Sequence, residues 1–548
     1  MITQYDVIVS GFGPAGAVAA NLLGQRGIRT LVVDRAREVY EMPRAIALDH
    51  EIMRVFQSLG IVEQIAPHVA VFPASEYYGT QGQLIKRIDA VPAPYPLGYV
   101  PTMVFTQPPV EQALRERAMQ HDCIEIELGT ELTGLEIGTG SPVEHDDALP
   151  AGSHVQATLR DETGATRTVT ARYLIACDGA SSLVRTSLGI ALEDLVFDEP
   201  WIVVDLRVNE RGLAKLPKVA IQYCEPERPC TYIVGPGGHR RWEIMLSPGE
   251  DPLLMQQPEQ IWALLSRWLT PDDATLWRAS SYRFHALVAA EWRRGPVFIA
   301  GDAAHQQPPF IGQGMCQGIR DVVNLVWKLD SVLRGEAGDS LLDTYQAERQ
   351  EHVRCLTTRI KEIGRVICER DPEAARARDI RLLEQAGGVV KTVTRQEIVP
   401  PLQAGLLGQD GAAVNGTLFP QPRVTDESGA TRLLDLAVGG GWRVAVNDAS
   451  LLDDEVLNEA AGLGATVIVL EDDAAFAPAL AVAYDVALAI GSAVTPARVV
   501  ECDGVLAAWF GRHACSAAII RPDHYVWGVA SSAPDLQSQL QSLRRALA

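Results

Sequence analysis

Three short runs in this chain set an acidic side chain after a buried strand and beside glycines, a combination suited to a phosphate-bearing ligand. The first is GFGPAG, with Gly11, Gly13 and Gly16, preceded by a β-rich run over 5–10 and followed by a helical stretch over 17–25. A second strand over 30–34 ends in Asp34, 18 residues after Gly16. The glycines permit a tight turn and a close approach of a pyrophosphate to the helix N-terminus. Asp34 can accept from ribose hydroxyls. The second run is VFIAGD, where a buried strand breaks at Gly301 and Asp302 stands at the carboxyl end, the place where open α/β sheets bind ligands. A loop with Pro308, Pro309, Gly312 and Gly314 follows, and then Ile319, Val322, Val323, Val326 and Leu329 recur at helical spacing. Backbone N–H groups of such a loop, with a helix start behind them, suit an anion or a ring that becomes anionic on reduction, such as a flavin. The third run is YLIACDG, ending in Asp178 and Gly179, with Arg185 on the helix beyond. Alone, an Asp-Gly after a strand reads as a turn; in order with the other two it reads as functional.

A second group of residues suits proton transfer or substrate contact. In PRAIALDHE (43–51), Asp49 and His50 form either an active-site pair, His being suited to proton transfer near neutral pH, or a helix N-cap with an exposed His. From 201 to about 283 the runs WIVVDLRV, AIQYC and RWEIML alternate, which predicts a half-buried antiparallel sheet. Tyr223, Arg228, Tyr232, His239, Arg240 and Arg241 are its polar candidates for substrate contact.

The elements that must position these groups fall into an α/β order. At 548 residues, two or three domains are expected. Hydrophobic content of 47% and 21% charged residues are ordinary for a soluble enzyme, and a net charge of −21 argues against nucleic acid or an anionic membrane as partner. Nine cysteines make no C-x-x-C pair and no zinc spacing, and His285 and His305 have no metal-ligand spacing around them, so reduced thiols, a cytoplasmic setting and no metal are expected. The apolar stretch 476–494 is interrupted by Pro478, Asp485 and Gly491, which argues against a membrane span. Strand patterns at 124–128 and 155–159 flank an acidic loop at 144–147. Residues 73–98 read as an excursion over the substrate pocket, and 386–415 as a linker. Beyond it, strands are predicted at 443–446, 466–470 and 505–510.

Taken together, GFGPAG, PRAIALDHE, the helix beginning TQPPVEQALR, YLIACDG and GDAAHQQPPFIGQG resemble the single-component FAD-dependent aromatic hydroxylases, in their phenol-hydroxylase branch. The resemblance implies a Rossmann-like FAD-binding domain (1–75, 99–195, 282–345) interleaved with an antiparallel-sheet substrate domain (76–98, 196–281). A helical segment and linker (346–400) and a thioredoxin-like C-terminal α/β domain without C-x-x-C (401–548) would follow. It gives Arg44 to the FAD diphosphate, Gln107 to holding FAD, Asp178 to FAD and transient nicotinamide docking, and Asp302 to the ribityl–phosphate region. Gly312, Gly314 and Met315 fall to the flavin, and Pro309 to the substrate side. Cys316 stands where the family usually carries Asn, so no contact of that amide carries over. The implied reaction takes NADH or NADPH and O2 and proceeds through a flavin C4a-hydroperoxide. WIVVD, CEPERP and the run from Trp242 to Glu250 further suggest ortho-hydroxylation of a phenolic acid such as 3-(3-hydroxyphenyl)propionate or 3-hydroxycinnamate, whose carboxylate an Arg would hold. Another phenol, an aromatic polyketide, or a flavin oxidase or reductase that does not hydroxylate remain alternatives, and a homodimer is compatible with the pattern.

Overall fold

The computed structural model describes residues 4–139, 153–394, 398–409, 411–471 and 495–548. The acidic loop 144–147 and the apolar stretch 476–494 read from the sequence lie outside the described residues. The chain divides into two compact units. One comprises Met1–Val91, Pro101–Val323 and Val353–Val399; the other comprises Pro92–Val100, Asn324–His352 and Pro400–Ala548. Among the described residues no helix is long and apolar enough to cross a membrane.

The first unit holds a mainly parallel sheet in the order Arg293–Arg294, Val297–Ile299, Thr166–Ala176, Gln4–Ser10, Thr30–Asp34, Ile124–Leu128. Its central strands are buried on both faces, which is why they read as unbroken runs such as VIV and LVV rather than as alternation. Register brings Ile299, Ala176, Ser10 and Val33 level at the carboxyl edge of four adjacent strands.

A second sheet of nine strands lies in the same unit, mostly antiparallel, with Leu192–Val208 at its heart between Ala274–Ala289 and His239–Met245. Alternation decides its two faces. Ile202, Val204, Tyr232, Trp242 and Ile244 pack with Ile261 and Leu265 of the helix Pro258–Leu265. Trp201, Val203, Met245 and Phe284 pack on the other face with Phe310, Ile311 and Leu356. Each of these large side chains contributes about 1.5–3 kcal/mol by burial. The excursion over 73–98 supplies two edge strands, Ala74–Tyr78 and Leu84–Asp89. The region expected to be a linker is not wholly irregular: Thr392–Thr394 pairs in parallel with Leu84–Asp89 and closes that edge.

The second unit is built on a seven-stranded sheet in the order Thr431–Leu433, Arg423–Asp426, Ala497–Glu501, Thr466–Glu471, Arg443–Val446, Ala517–Ile520, Val526–Ala530. Val444, Val446 and Val467 face Leu536, Leu540 and Leu543 of the helix Ala533–Leu547, while Ala445 and Ile468 face Leu506, Trp509 and Phe510. Those last three overturn the strand predicted at 505–510, since Val505–His513 is a helix. Glu501 caps it, its carboxylate accepting from the N–H groups of Leu506 at 2.6 Å and Ala507 at 3.0 Å. Apolar residues at three- and four-residue spacing outweigh a short β-like run once the cap is in place.

Candidate active site

The carboxyl edge of the parallel sheet gathers the acids that the sequence scattered over nearly 270 positions. Asp34, the Gly11 turn, Asp178 and Asp302 follow four neighbouring strands. Gly11 has φ +96°, and a Cβ there would lie 2.3 Å from the carbonyl oxygen of Cys177. A Cβ on Gly16 would lie 1.9 Å from the carbonyl oxygen of Gly11, whereas Gly13 faces open space. This is a backbone cradle that side chains would fill. Asp34 accepts from the N–H groups of Phe12 at 2.6 Å and Ala36 at 2.7 Å, so it also holds the turn in place.

Asp178 accepts from the N–H of Val184 at 3.2 Å, but its Oδ1 is buried without a partner among the described residues, and burial raises its carboxyl above the usual range. Arg185 joins two of the acid-bearing loops, donating to the carbonyls of Ala303 at 2.8 Å and Ala180 at 2.9 Å. Asp302 is reachable by solvent yet ringed by protein. That desolvation raises its pKa against the pull of His305 and Arg44.

Gln107 lies under the 43–45 segment, its Oε1 accepting from the N–H groups of Arg44 at 3.1 Å and Ala45 at 2.6 Å. Arg44 itself is exposed, its guanidinium 5.7 Å from the Tyr40 ring. The residue that sequence reasoning missed is Arg115. It is buried, pairs with Glu111 at 3.0 Å and lies 5.0 Å from the Phe12 ring of the glycine turn, yet its Nε and Nη1 have no partner among the described residues. The signal was present: Gln107, Glu111 and Arg115 form a polar stripe at four-residue steps on one helix. The cradle, the orphaned Asp178 oxygen and the orphaned Arg115 nitrogens fit a dinucleotide, one side offering a pyrophosphate its backbone approach and the other a buried cation.

Asp49 is the N-cap of the helix His50–Ser58, accepting from the N–H of Ile52 at 3.1 Å. It also accepts from Arg320 at 2.6 Å and Gln313 at 3.1 Å. Burial would raise its pKa, but the Arg320 charge and hydrogen bond, with His50, hold it below the usual range. Three donors thus hold the Asp49 carboxylate in place. His50 is half-buried with an Nδ1 unpartnered among the described residues, and burial outweighs Asp49 to push it down to about 4, so the ring is neutral at neutral pH.

Arg320 also meets Glu51 at 2.6 Å and the Oε1 of Gln313 at 2.9 Å, tying the helix that carries it to the loop ahead of it. That loop is tight: Gly312 has φ +64°, and a Cβ there would meet the Ala47 side chain at 2.6 Å. Gly314 and Met315 open the helix Gly314–Leu333, whose first N–H groups have no intrahelical acceptor. Cys316 is fully buried, its Sγ 3.9 Å from the carbonyl oxygen of Ala47, and burial raises its thiol well above the usual value.

The substrate candidates drawn from the sequence are not brought together. Tyr223 and Tyr232 lie on the helix-covered face of the sheet, where the Tyr223 hydroxyl accepts from Trp268 at 3.1 Å and that of Tyr232 donates to the carbonyl of Pro217 at 3.0 Å. Arg228 pairs with Glu250 at 2.7 Å, and Arg240 caps its hairpin turn through the carbonyls of Gly235 and Gly237. Arg241 is on the face that meets the 43–45 segment but is committed, pairing with Asp205 at 2.7 Å and donating to the carbonyls of Arg44 at 2.8 Å and Pro43 at 3.0 Å. Arg278 adds a bond to the same Pro43 carbonyl at 2.7 Å, and His239 shares Asp205 at 2.8 Å. Burial would raise Asp205, but Arg241 and His239 keep it low. Pro309 stays in the loop, its carbonyl accepting from Gly312 at 2.7 Å beside the aromatic cluster of Phe310, Trp201 and Phe284.

Comparison with known proteins agrees with this geometry. Residues 4–359 match the family model described as FAD binding domain, and residues 416–546 match the HcaD C-terminal domain. The chain is 35% identical over 544 residues to a probable NADH-specific resorcinol 4-hydroxylase of Rhodococcus jostii (strain RHA1), covering 99% of this chain and 95% of that one. It is 32% identical over 536 residues to a 3-(3-hydroxy-phenyl)propionate/3-hydroxycinnamic acid hydroxylase of Escherichia coli (strain SMS-3-5 / SECEC), covering 96% and 92%. Among solved structures, the flavin-dependent monooxygenase PieE in complex with FAD and substrate aligns at TM-score 0.79 and 21% identity over 99% of both chains. Aklavinone-11 hydroxylase with FAD and aklavinone aligns at 0.75 and 23%, covering 100% of this chain and 99% of that one.

Proposed function

The chain belongs to the FAD-binding family of flavin-dependent aromatic monooxygenases, and on that premise we propose that it adds one oxygen atom to the ring of a small phenol, ortho or para to the hydroxyl, with NADH as reductant. The observation that carries the reading is the joint between the two sheets of the first unit. Arg241 and Arg278, on one face of the antiparallel sheet, hold the carbonyls of Pro43 and Arg44, and Gln107 holds the N–H groups of Arg44 and Ala45. A ring bound against that sheet face would therefore lie beside the FAD-binding segment.

In this reading Gly11, Gly13 and Gly16 bring backbone to the pyrophosphate, with Arg44 and Arg115 as its cations and Asp34 at the ribose. Asp178 and Asp302 face the polar chain of the cofactor. Gly312, Gly314 and Met315 present the positive end of their helix to the flavin, where negative charge develops on reduction. When bound, FAD supplies the hydride acceptor and the activation of O2. The protein's part is to position the ring, exclude water and manage one proton. His50, neutral and with a buried, unbonded Nδ1 among the described residues, is the group assigned to take the phenol proton, with Asp49, fixed by Arg320, as the neighbouring charge. The second unit, whose Cys502 and Cys515 form no C-x-x-C pair, is read as structural.

The substrates named for the relatives, resorcinol and 3-(3-hydroxyphenyl)propionate with 3-hydroxycinnamate, set the first panel. The test is NADH oxidation by the FAD-loaded protein in air, with and without each phenol, with products analysed by mass. A phenol-stimulated rate with a gain of one oxygen is the expected result. Stimulation that yields hydrogen peroxide alone from every phenol would refute hydroxylation.

A further inference from the structure

We propose that Asp321 and His305 are positioning residues for Asp302: they lock the turn that aims its carboxylate, so that a buried acid behind that turn helps set the affinity for FAD. The inference deepens the reading above and rests on Asp302 facing the polar chain of the cofactor. One oxygen atom holds the turn. Oδ2 of Asp321 accepts from the N–H of Gly301 at 2.9 Å and from Nε2 of His305 at 2.8 Å. Both ends of the segment 301–305 are therefore tied to the same atom, with Asp302 between them. Inside the segment the N–H of Ala304 donates to the carbonyl of Gly301 at 2.8 Å. Gly301 has φ +61°, a conformation that favours glycine, and it turns the chain out of the strand Val297–Ile299.

The elements packed around this turn leave it little freedom. Gly318 and Asp321, three residues apart, share a face of the helix Gly314–Leu333. A Cβ on Gly318 would lie 3.0 Å from Cα of Gly301, so the missing side chain lets that helix bring Asp321 close. Ala15, on the helix that follows the first glycine turn, is a second neighbour, since a Cβ on Gly301 would lie 3.6 Å from its Cβ. On the other side the His305 ring stacks on Trp292, centroids 5.4 Å apart, and the backbone of His305 pairs with Val288. The N–H of Ala289 adds a bond to the carbonyl of Ala304 at 2.7 Å. The side chains of His305 and Asp321 are 1% and 0% exposed, so water does not compete for the bond between them.

Asp302 differs from Asp321 in both respects. It is exposed, and its carboxylate accepts no hydrogen bond among the described residues. With no brace of its own, it offers a ligand hydroxyl a well-placed acceptor only while the backbone beneath it is fixed. Removing the charge of Asp321 weakens the hold on Gly301 and on His305 together, and Asp302 loses its aim.

The experiment is a double-mutant cycle on FAD affinity for wild type, Asp302→Ala, Asp321→Asn and the double variant, with Kd taken from the FAD lost on dilution of the FAD-loaded protein. Asp302→Ala should weaken FAD by roughly 10- to 100-fold, the worth of a hydrogen bond to a charged acceptor. Asp321→Asn keeps the shape and removes the charge from both bonds; it should weaken FAD by roughly tenfold and not beyond Asp302→Ala. The double variant should match Asp302→Ala within about twofold, because Asp321 then has nothing left to aim. If Asp321 only supports the fold, the two factors multiply, and that result overturns the inference. Wild-type affinity in Asp321→Asn overturns it as well. If Asp321→Asn gives no folded protein, His305→Leu, which keeps bulk against Trp292 and removes one of the two donors, takes its place in the cycle under the same two criteria. If Asp302→Ala holds FAD as tightly as wild type, the placing of Asp302 at the cofactor fails, and this inference with it.

Discussion

Replacing Arg320 by Met tests how the Gly312 loop is held. Arg320 is 4% exposed and reaches Asp49 and Glu51 at 2.6 Å each and Gln313 at 2.9 Å. Methionine keeps much of the stem and removes the guanidinium from two buried carboxylates. Removing one partner of a buried pair costs about 3–5 kcal/mol. At roughly 2 °C per kcal/mol for a large domain, melting of the first unit should fall by about 6–10 °C.

The sign of the pH effect follows from Asp49. In the wild type Arg320 holds its carboxyl below the ordinary value despite burial, so that stabilisation is present above the unfolded pKa and lost as pH falls through the folded one. Without Arg320, burial prevails, the folded pKa rises above the unfolded one, and the penalty is relieved by protonation in acid. Melting followed by flavin fluorescence should therefore show a gap between wild type and variant that narrows from pH 8 to pH 5. A gap of equal size at both pH values, or one under about 2 °C, would refute the reasoning.

Other perturbations have equally definite outcomes. Gly16→Ala sets a Cβ against the Gly11 carbonyl at 1.9 Å, and its Kd for FAD, measured by calorimetry on the stripped protein, should weaken at least about tenfold, or 1.4 kcal/mol. In the second unit, Arg521 is fully buried between Glu348 at 2.6 Å and Asp523 at 2.7 Å, so Arg521→Met should lower that unit's thermal transition by a loss of about 3–5 kcal/mol, read by calorimetry. Burial holds the thiols of Cys224, Cys230 and Cys316 protonated, whereas Cys502 is exposed. A disulfide reagent at pH 8 should show one fast thiol, absent in Cys502→Ser, and persistence of that phase would contradict the assignment.

What could be read from the chain alone was whatever is local. The three strand–glycine–acid runs declare themselves because a turn, its close backbone approach and the acid that follows are set within a few residues. Their order supplied the family and the cofactor. Asp49 as an N-cap was one of two readings open in PRAIALDHE, because a cap and a catalytic acid look alike until Arg320, 271 residues away, is found on the same oxygen. The helix at Val505–His513 was hidden because a short apolar run has no distinctive period, and its cap comes from Glu501.

The tertiary structure alone decided which side of the antiparallel sheet meets the 43–45 segment. Side chains alternate with period two, so choosing the wrong face exchanges every candidate at once. Of the residues conspicuous in the sequence, Tyr223 and Tyr232 belong to the helix-packed face, while Arg241 lies on the other. Thr231 and Gln222 also face that way and carry no motif. Parity within a strand is local, but the anchoring of a sheet face is not: it depends here on Arg241 meeting Asp205 across 36 residues and Arg44 across 197.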